Sequence, residues 1–229
     1  MINTLFPYKR YSFINYSVLE NLPKKELKFI EENTTILRLK KGQVLFHEGT
    51  IPVAAYIISS GKIKKYATGL EGREHIFYLA KENDIIGHHE LISKEAHSCS
   101  AACLTDCVVN LVPKKIFSQI ITSNEDIKSR LLHTIAHEFG VFISNSRILA
   151  QHNVRERCAI SIIKLREFFG VDKEGFKISR KDHSNIVGTS VESLVRVLHD
   201  FKEEGVIKIS DNNLYVTNMD KLVKICNII

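Results

Sequence analysis

Residues 183–198 read HSNIVGTSVESLVRVL, two short helical patterns hinged on a single glycine. Gly188 stands where the first helix must end in a left-handed turn, a conformation open to glycine at no steric cost, and Ser190 is placed to cap the second. Val187, Leu194 and Val197 fall where two such helices must bury side chains against each other, while Glu192 and Arg196, four apart, share the outward face. That face is the one that enters a major groove of DNA. A guanidinium can hold guanine O6 and N7 with two parallel hydrogen bonds, and a carboxylate can accept from cytosine N4, each pairing giving about 1–3 kcal/mol of discrimination. The competing reading of Glu192 and Arg196 is a surface ion pair of little energetic weight.

The flanks favour DNA. Upstream, VRERCAISIIKLREFFGV is an amphipathic helix closed by Gly170, FKIS reads as a short strand, and Arg180 and Lys181 put positive charge at the front of the first short helix. Downstream, VIKISDNNLYVTN reads as a hairpin with turn residues Asp211, Asn212 and Asn213, and a last helix starts at Met219. Helix, turn, helix and a two-stranded wing is the order of a winged helix-turn-helix, here over residues 152–229. Its expected DNA-binding residues are Arg180, Lys181, Thr189, Ser190, Val191, Glu192 and Arg196.

Residues 124–151 carry Ile127, Leu131, Ile135, Phe139, Phe142 and Leu149 at alternating fours and threes, with Ser146 at the one polar place in the stripe. Such a helix is roughly 40 Å long. It is expected to form a homodimer seam, the alternative being one face laid on the rest of the chain. From Ile36 to about Val112 short alternating runs are punctuated by glycines, and SSGK and LEGR look like hairpin connections. This is a compact all-β unit, preceded by a helix in SVLENLPKKELKFIEEN. The predicted divisions are 1–123, 124–151 and 152–229.

Composition narrows the classes further. With 229 residues, 44% hydrophobic and 25% charged, the chain can bury a core, and no apolar run approaches the roughly 18 residues of a membrane span. The N-terminal segment, broken by Pro7 and charges, lacks the apolar stretch of a secretory signal, so a cytoplasmic protein is expected. The net charge of +6 suits a polyanionic partner without requiring one. No G-x-S-x-G, H-E-x-x-H or phosphate-cradling loop is present, so no enzymatic activity is expected.

KKGQVLFHEGT, YIISSGKIKKY, ENDIIG and VGTSVESLVRVL, in that order, resemble the cyclic-AMP receptor protein/fumarate-nitrate-reductase regulator (CRP/FNR) superfamily of bacterial transcription factors. The resemblance runs from about Leu19 to the end. It implies an α+β chain: an N-terminal double-stranded β-helix, or jelly roll, of the cyclic-nucleotide-binding type, a long dimerisation helix, and a C-terminal winged helix-turn-helix. It also implies a homodimer on palindromic double-stranded DNA, an effector pocket between roll and helix, and RNA polymerase as a further partner. Val191, just before the E-x3-R of Glu192 and Arg196, matches the oxygen-sensing branch, so TTGA-like half-sites are expected. Val195 replaces that branch's serine and leaves the outer base open.

The resemblance also places IIGHHELISKEAHSCSAACLTDC, residues 85–107, at the effector pocket. Cyclic-nucleotide binders of the superfamily use a glutamate where this chain has His88 and a phosphate-binding arginine where it has His97, followed by Ser98. The long-helix positions that offer hydroxyls to the purine align with Phe142 and Ile143. The expected pocket is therefore Gly87, His88, His89, His97, Ser98, Phe142 and Ile143, holding an unidentified effector or none, with cyclic AMP not expected because a neutral imidazole cannot replace a guanidinium. Haem is the alternative cofactor, with His88, His89, His97, His133 or His137 as axial candidates, and would make the chain a gas or redox sensor. A cyclic-nucleotide-binding regulatory module is the alternative of another class. Cys99, Cys103 and Cys107 would lie roughly 13 Å apart in sequence order along one strand, too far for one ion, and are expected to pack as small hydrophobes. No metal ligands are assigned.

Overall fold

The computed structural model describes residues 24–170 and 175–227, so the part of the expected leading helix before Lys24 lies outside the described residues. What remains of that helix is α1 (Lys24–Glu32). Eight strands follow: β1 (Thr35–Leu39), β2 (Val44–Phe46), β3 (Ala54–Ser60), β4 (Lys62–Thr68), β5 (Glu74–Lys81), β6 (Ile85–Ile86), β7 (Ser100–Cys103) and β8 (Cys107–Pro113). They form two four-stranded sheets of order β1-β8-β3-β6 and β2-β7-β4-β5, the double-sheet arrangement of a jelly roll. β3 is flanked on both sides, and its first five residues, AAYII, are all buried.

The SSGK connection differs from expectation. Instead of closing a hairpin, it carries the chain from one sheet to the other, because β3 and β4 are not neighbours. Gly61 makes this possible: its φ is 97°, and a Cβ there would stand 2.5 Å from both the Asp106 carbonyl oxygen and Cys107 Sγ. The LEGR connection does join adjacent strands, β4 and β5.

A short helix, α2 (His88–Ser93), interrupts the roll, and α3 (Lys114–Ser123) leads to the long helix α4 (Glu125–Gln151). Asn124 Oδ1 accepts from the Ile127 amide at 3.0 Å and so starts α4. One apolar core joins Ile30 of α1, Ala55, Ile57, Ile85, Leu91 and Val112 of the roll, Phe117 and Ile120 of α3, and Ile127 and Leu131 of α4.

The chain divides into two compact units, and the break falls inside α4, between Gly140 and Val141, rather than at either end of the helix. The second unit runs from Val141 onward and includes Glu71–Ile76. It contains α5 (Val154–Phe169), α6 (Arg180–Val187), α7 (Val191–Glu203), β9 (Ile207–Ser210), β10 (Asn213–Val216) and α8 (Met219–Ile225). Asn153 and Glu156 close a reciprocal capping box at the start of α5. FKIS contributes only a single bridge, Phe176 to Leu214, because the chain must turn away for Ser179 to cap α6. In the wing, Asp211 and Asn212 both have positive φ, 51° and 63°, as a two-residue type I′ turn demands, and Asn213 is already in the strand opposite Ser210.

Candidate nucleic-acid interface and the buried site of the roll

Each short helix of the 183–198 segment begins on a serine. Ser179 Oγ accepts from the Asp182 amide at 2.9 Å, and Ser190 Oγ from the Ser193 amide at 3.2 Å. Between them Gly188, at φ 70°, ends α6, and a Cβ there would stand 2.9 Å from a Leu149 methyl. Val187, Leu194, Leu198 and Phe201 are buried and Val197 is half-buried, which orients α7. Val191, Glu192, Val195 and Arg196 are left on the exposed face. Lys181 and Ser190 are exposed, and Arg180 and Thr189 half-buried. Hydrogen bonds from its own amide and from Ser190 hold the Glu192 carboxyl below its usual range, with Arg196 the least of the influences. The guanidinium is thus not committed to its neighbour.

Behind this surface lies a support that the sequence reading missed. Arg157 of α5 donates from Nε to Val187 O at 2.9 Å, from Nη1 to His152 O at 2.9 Å and from Nη2 to Gly188 O at 3.2 Å. One guanidinium therefore satisfies the last carbonyls of α6 and the carbonyl that follows α4, groups that a helix cannot satisfy itself. Ser161 Oγ donates to Cys158 O at 2.8 Å, which spends its only proton, so His183 Nε2, 2.8 Å away, is the donor to it. Burial, with Arg180 adding to it, pushes His183 down to about 3 and keeps it neutral. Lys164, also buried, reaches Asn145 Oδ1 of α4 at 2.7 Å.

The long helix mixes polar and apolar side chains on both its buried and its exposed face. Its buried positions are Ile127, Leu131, Thr134, Glu138, Val141, Ser144 and Ile148, four of which are apolar and three polar. Its exposed face carries Leu132, Phe139, Phe142, Ile143 and Leu149, with Phe139 64% and Phe142 55% exposed. The predicted seam thus mixed two faces. Ile127 and Leu131 belong to the roll's own core and are not available to a partner. Ile135 is half-buried against that core, while Phe139, Phe142 and Leu149 face outward. The apolar repeat departs from the buried stripe after Leu131, because the buried face continues through Thr134 and Glu138.

Within the roll, α2 and α4 bring together a buried polar group. His89 Nε2 is 2.7 Å from Glu138 Oε2, and His88 Nε2 is 4.0 Å from the same oxygen. Lys65 Nζ lies 4.0 Å from that oxygen and 3.5 Å from His89 Nδ1. Burial opposes ionisation of Glu138, but the Lys65 ammonium and the hydrogen bond from His89 outweigh it, and the carboxyl is brought down to about 2. Burial pushes His88 down to about 3 against the pull of Glu138, so its imidazole is neutral. Glu90 accepts from the Ser98 hydroxyl at 2.8 Å and the Ser98 amide at 3.2 Å, and faces His97 Nδ1 at 3.4 Å. His97 stacks on Phe46, ring centroids 4.0 Å apart.

Comparison with known proteins places both units. Residues 36–124 match the family described as Cyclic nucleotide-binding domain, and residues 156–225 match the Crp-like helix-turn-helix domain. The chain belongs to the CRP/FNR superfamily of DNA-binding transcription regulators. Among its relatives is the Anaerobic regulatory protein of Aggregatibacter actinomycetemcomitans, 25% identical over 192 residues, covering 82% of this chain and 74% of that one. The Cyclic AMP receptor protein of Thermus thermophilus is 25% identical over 177 residues, covering 77% and 81%. A crp/fnr-family regulator from Eubacterium rectale shares the fold with a TM-score of 0.76 at 18% identity, covering 98% of this chain and 100% of that one. The family consists of transcription regulators and not enzymes; its members bind DNA and typically form dimers. Among the described residues no helix is long and apolar enough to cross a membrane.

Against that family background, the expected effector residues separate. Gly87, His88, His89, His97 and Ser98 share the roll, with Gly87 at φ 74° starting α2. Phe142 and Ile143 are exposed and belong to the other unit, whereas Thr134 and Glu138, on the part of α4 that belongs with the roll, are buried. Lys65 and Glu138 were not anticipated. Of the haem candidates, His88 has no exposed surface, and His89 Nε2 lies 2.7 Å from Glu138 Oε2. His133 is exposed on α4. Cys99, Cys103 and Cys107 are buried free thiols, but Cys103 and Cys107 end one strand and begin the next instead of sharing one. Burial, with Cys107 beside it, pushes the Cys103 thiol up to about 12.

Proposed function

We propose that this regulator works as a homodimer, closed through the exposed apolar face of α4, and reads an inverted repeat with TTGA-like half-sites. The observation that carries the reading is the exposed face of α7, where Glu192 and Arg196 stand clear of the core beneath them. Arg196 suits guanine and Glu192 suits cytosine. Val191 has only apolar contact to offer, as to a thymine methyl, which supports TTGA over a half-site that needs a second arginine. Arg180, Lys181, Thr189 and Ser190 surround the helix start and would hold phosphates. Large apolar side chains at the surface of α4 support the seam, since contiguous exposed apolar patches mark interaction surfaces. Two-fold symmetry would then set the α7 helices about 34 Å apart, one turn of DNA.

The protein would act in the cytoplasm, on DNA shared with RNA polymerase. Cyclic AMP is not its effector in this reading, because His88 and His97 stand where a nucleotide would need a carboxylate and a guanidinium. The test is binding of purified protein to a TTGA palindrome and to scrambled DNA at fixed salt, with and without cyclic AMP. Arg196→Ala is expected to lose about 1–3 kcal/mol on the palindrome and little on scrambled DNA. Lys181→Ala is expected to weaken both alike and lower the salt slope by about 1. Equal losses on both DNAs for Arg196→Ala would overturn the base-reading role, and binding that required cyclic AMP would overturn the effector reading.

A further inference from the structure

DNA recognition leaves unused the polar atoms buried in the roll. The ligand atoms of His88, His89 and Glu138 all lie within 4.8 Å of one another. Both imidazoles point Nε2 at the same Glu138 oxygen, from 4.0 Å and 2.7 Å. In a tetrahedral complex with bonds near 2.1 Å, neighbouring ligand atoms are about 3.4 Å apart, so small side-chain adjustments bring these three onto one centre. A second observation is independent of that spacing. His88 has 0% of its surface exposed, and neither of its ring nitrogens has a hydrogen-bond partner. Buried polar atoms are nearly always partnered, and imidazole nitrogen is a common ligand of transition metals.

We propose that His88 Nε2, His89 Nε2 and the Glu138 carboxylate bind one divalent first-row transition-metal ion. Two imidazoles with one carboxylate suit zinc, iron, cobalt or nickel, whereas calcium and magnesium favour all-oxygen sites. Three protein ligands leave a further position for water or a small anion. Lys65 is the natural competitor. Its ammonium is 4.0 Å from the Glu138 oxygen and balances that charge, so an incoming ion displaces one cation with another. The Tyr78 ring, 5.3 Å from Lys65 Nζ, offers the displaced ammonium an aromatic face. The ion would tie α2 of the roll to α4, the helix whose next residue, Phe139, lies on the exposed apolar face. A role in regulation rests on the function proposed above, but binding of the ion does not.

The test uses the full-length protein, stripped with a chelator and titrated with Co2+ and then Zn2+. The expected result is one ion per chain, with Co2+ ligand-field absorption that Zn2+ displaces. His88→Gln and Glu138→Gln should abolish stoichiometric binding. His133→Gln, at an exposed position of the same helix, should bind as the wild type does. Lys65→Met, which removes the competing charge and keeps most of the apolar stem, should bind tenfold tighter or more. Absence of stoichiometric binding by the wild-type protein would overturn the proposal whatever the variants do. So would wild-type affinity in both His88→Gln and Glu138→Gln, or weaker binding in a Lys65→Met protein whose circular dichroism is native. No DNA enters the experiment, so its failure leaves the DNA-binding assignment standing.

Discussion

Replacing Arg157 by alanine removes three donors from carbonyls at two helix ends. The bonds to Val187 O and His152 O are partly buried, and that to Gly188 O is exposed. A hydrogen bond with a charged partner contributes about 1.5–3 kcal/mol. Counting the two partly buried bonds at the low end and the exposed one as nothing gives a loss of about 3 kcal/mol. For a unit of this size each kcal/mol moves Tm by roughly 4–8 °C, so its unfolding transition should fall by more than about 10 °C. Arg157→Lys is the more telling variant: an ammonium is a point charge without the guanidinium fork, and it cannot reach Val187 O and His152 O together, so it should recover at most about half of the loss. Calorimetry of the full chain gives the transition, and amide hydrogen exchange across α6 and α7 assigns it to the DNA-binding unit. A loss under about 1 kcal/mol for Arg157→Ala, or wild-type stability for Arg157→Lys, would refute the capping role.

Phe139→Asp together with Phe142→Asp should leave the secondary structure intact and shift the protein to monomer in sedimentation, since both side chains are exposed in the chain; a dimer that persists would place the seam elsewhere. His183 should make the DNA-binding unit acid-sensitive. Its pKa is about 3 when folded against about 6.5 unfolded, so between those values the unfolded chain binds the extra proton. Stability is therefore complete above about pH 6.5 and falls by roughly 1.4 kcal/mol for each pH unit below it, until about pH 3. His183→Gln should flatten this slope in pH-dependent unfolding, and an unchanged slope would show that His183 is not the group responsible.

The helix-turn-helix was legible in the sequence because its determinants are local. Gly188, Ser190 and the spacing of Val187, Leu194 and Arg196 all act within one or two helical turns. The turn at Asp211-Asn212 was visible for the same reason. The roll was legible as β structure but not in its pairing: SSGK looks the same whether it closes a hairpin or crosses between sheets, and only the approach of Asp106 and Cys107 to Gly61 decides. Lys65 stands two residues after Ile63 in β4, and period two puts both on one face of the strand. No local rule says that a buried lysine will meet Glu138, far along the chain. In α4 the apolar spacing predicts a single stripe, although Ile127 and Leu131 are buried and Phe139 and Phe142 are not. Periodicity finds a stripe, but it does not say which neighbour covers it.

The break inside α4 has a mechanical meaning. Beyond Val141 the helix is bonded into the DNA-binding unit: Asn145 accepts from Lys164, Leu149 lies against Gly188, and the His152 carbonyl is held by the guanidinium that also holds α6. Phe142, Ile143 and Leu149 therefore belong to the same solid piece as Glu192 and Arg196. In a dimer, the contact between two such helices would act as the jaw setting of a caliper. Anything that slid it by part of a helical turn would reset the distance between the two heads, with no rearrangement within either head.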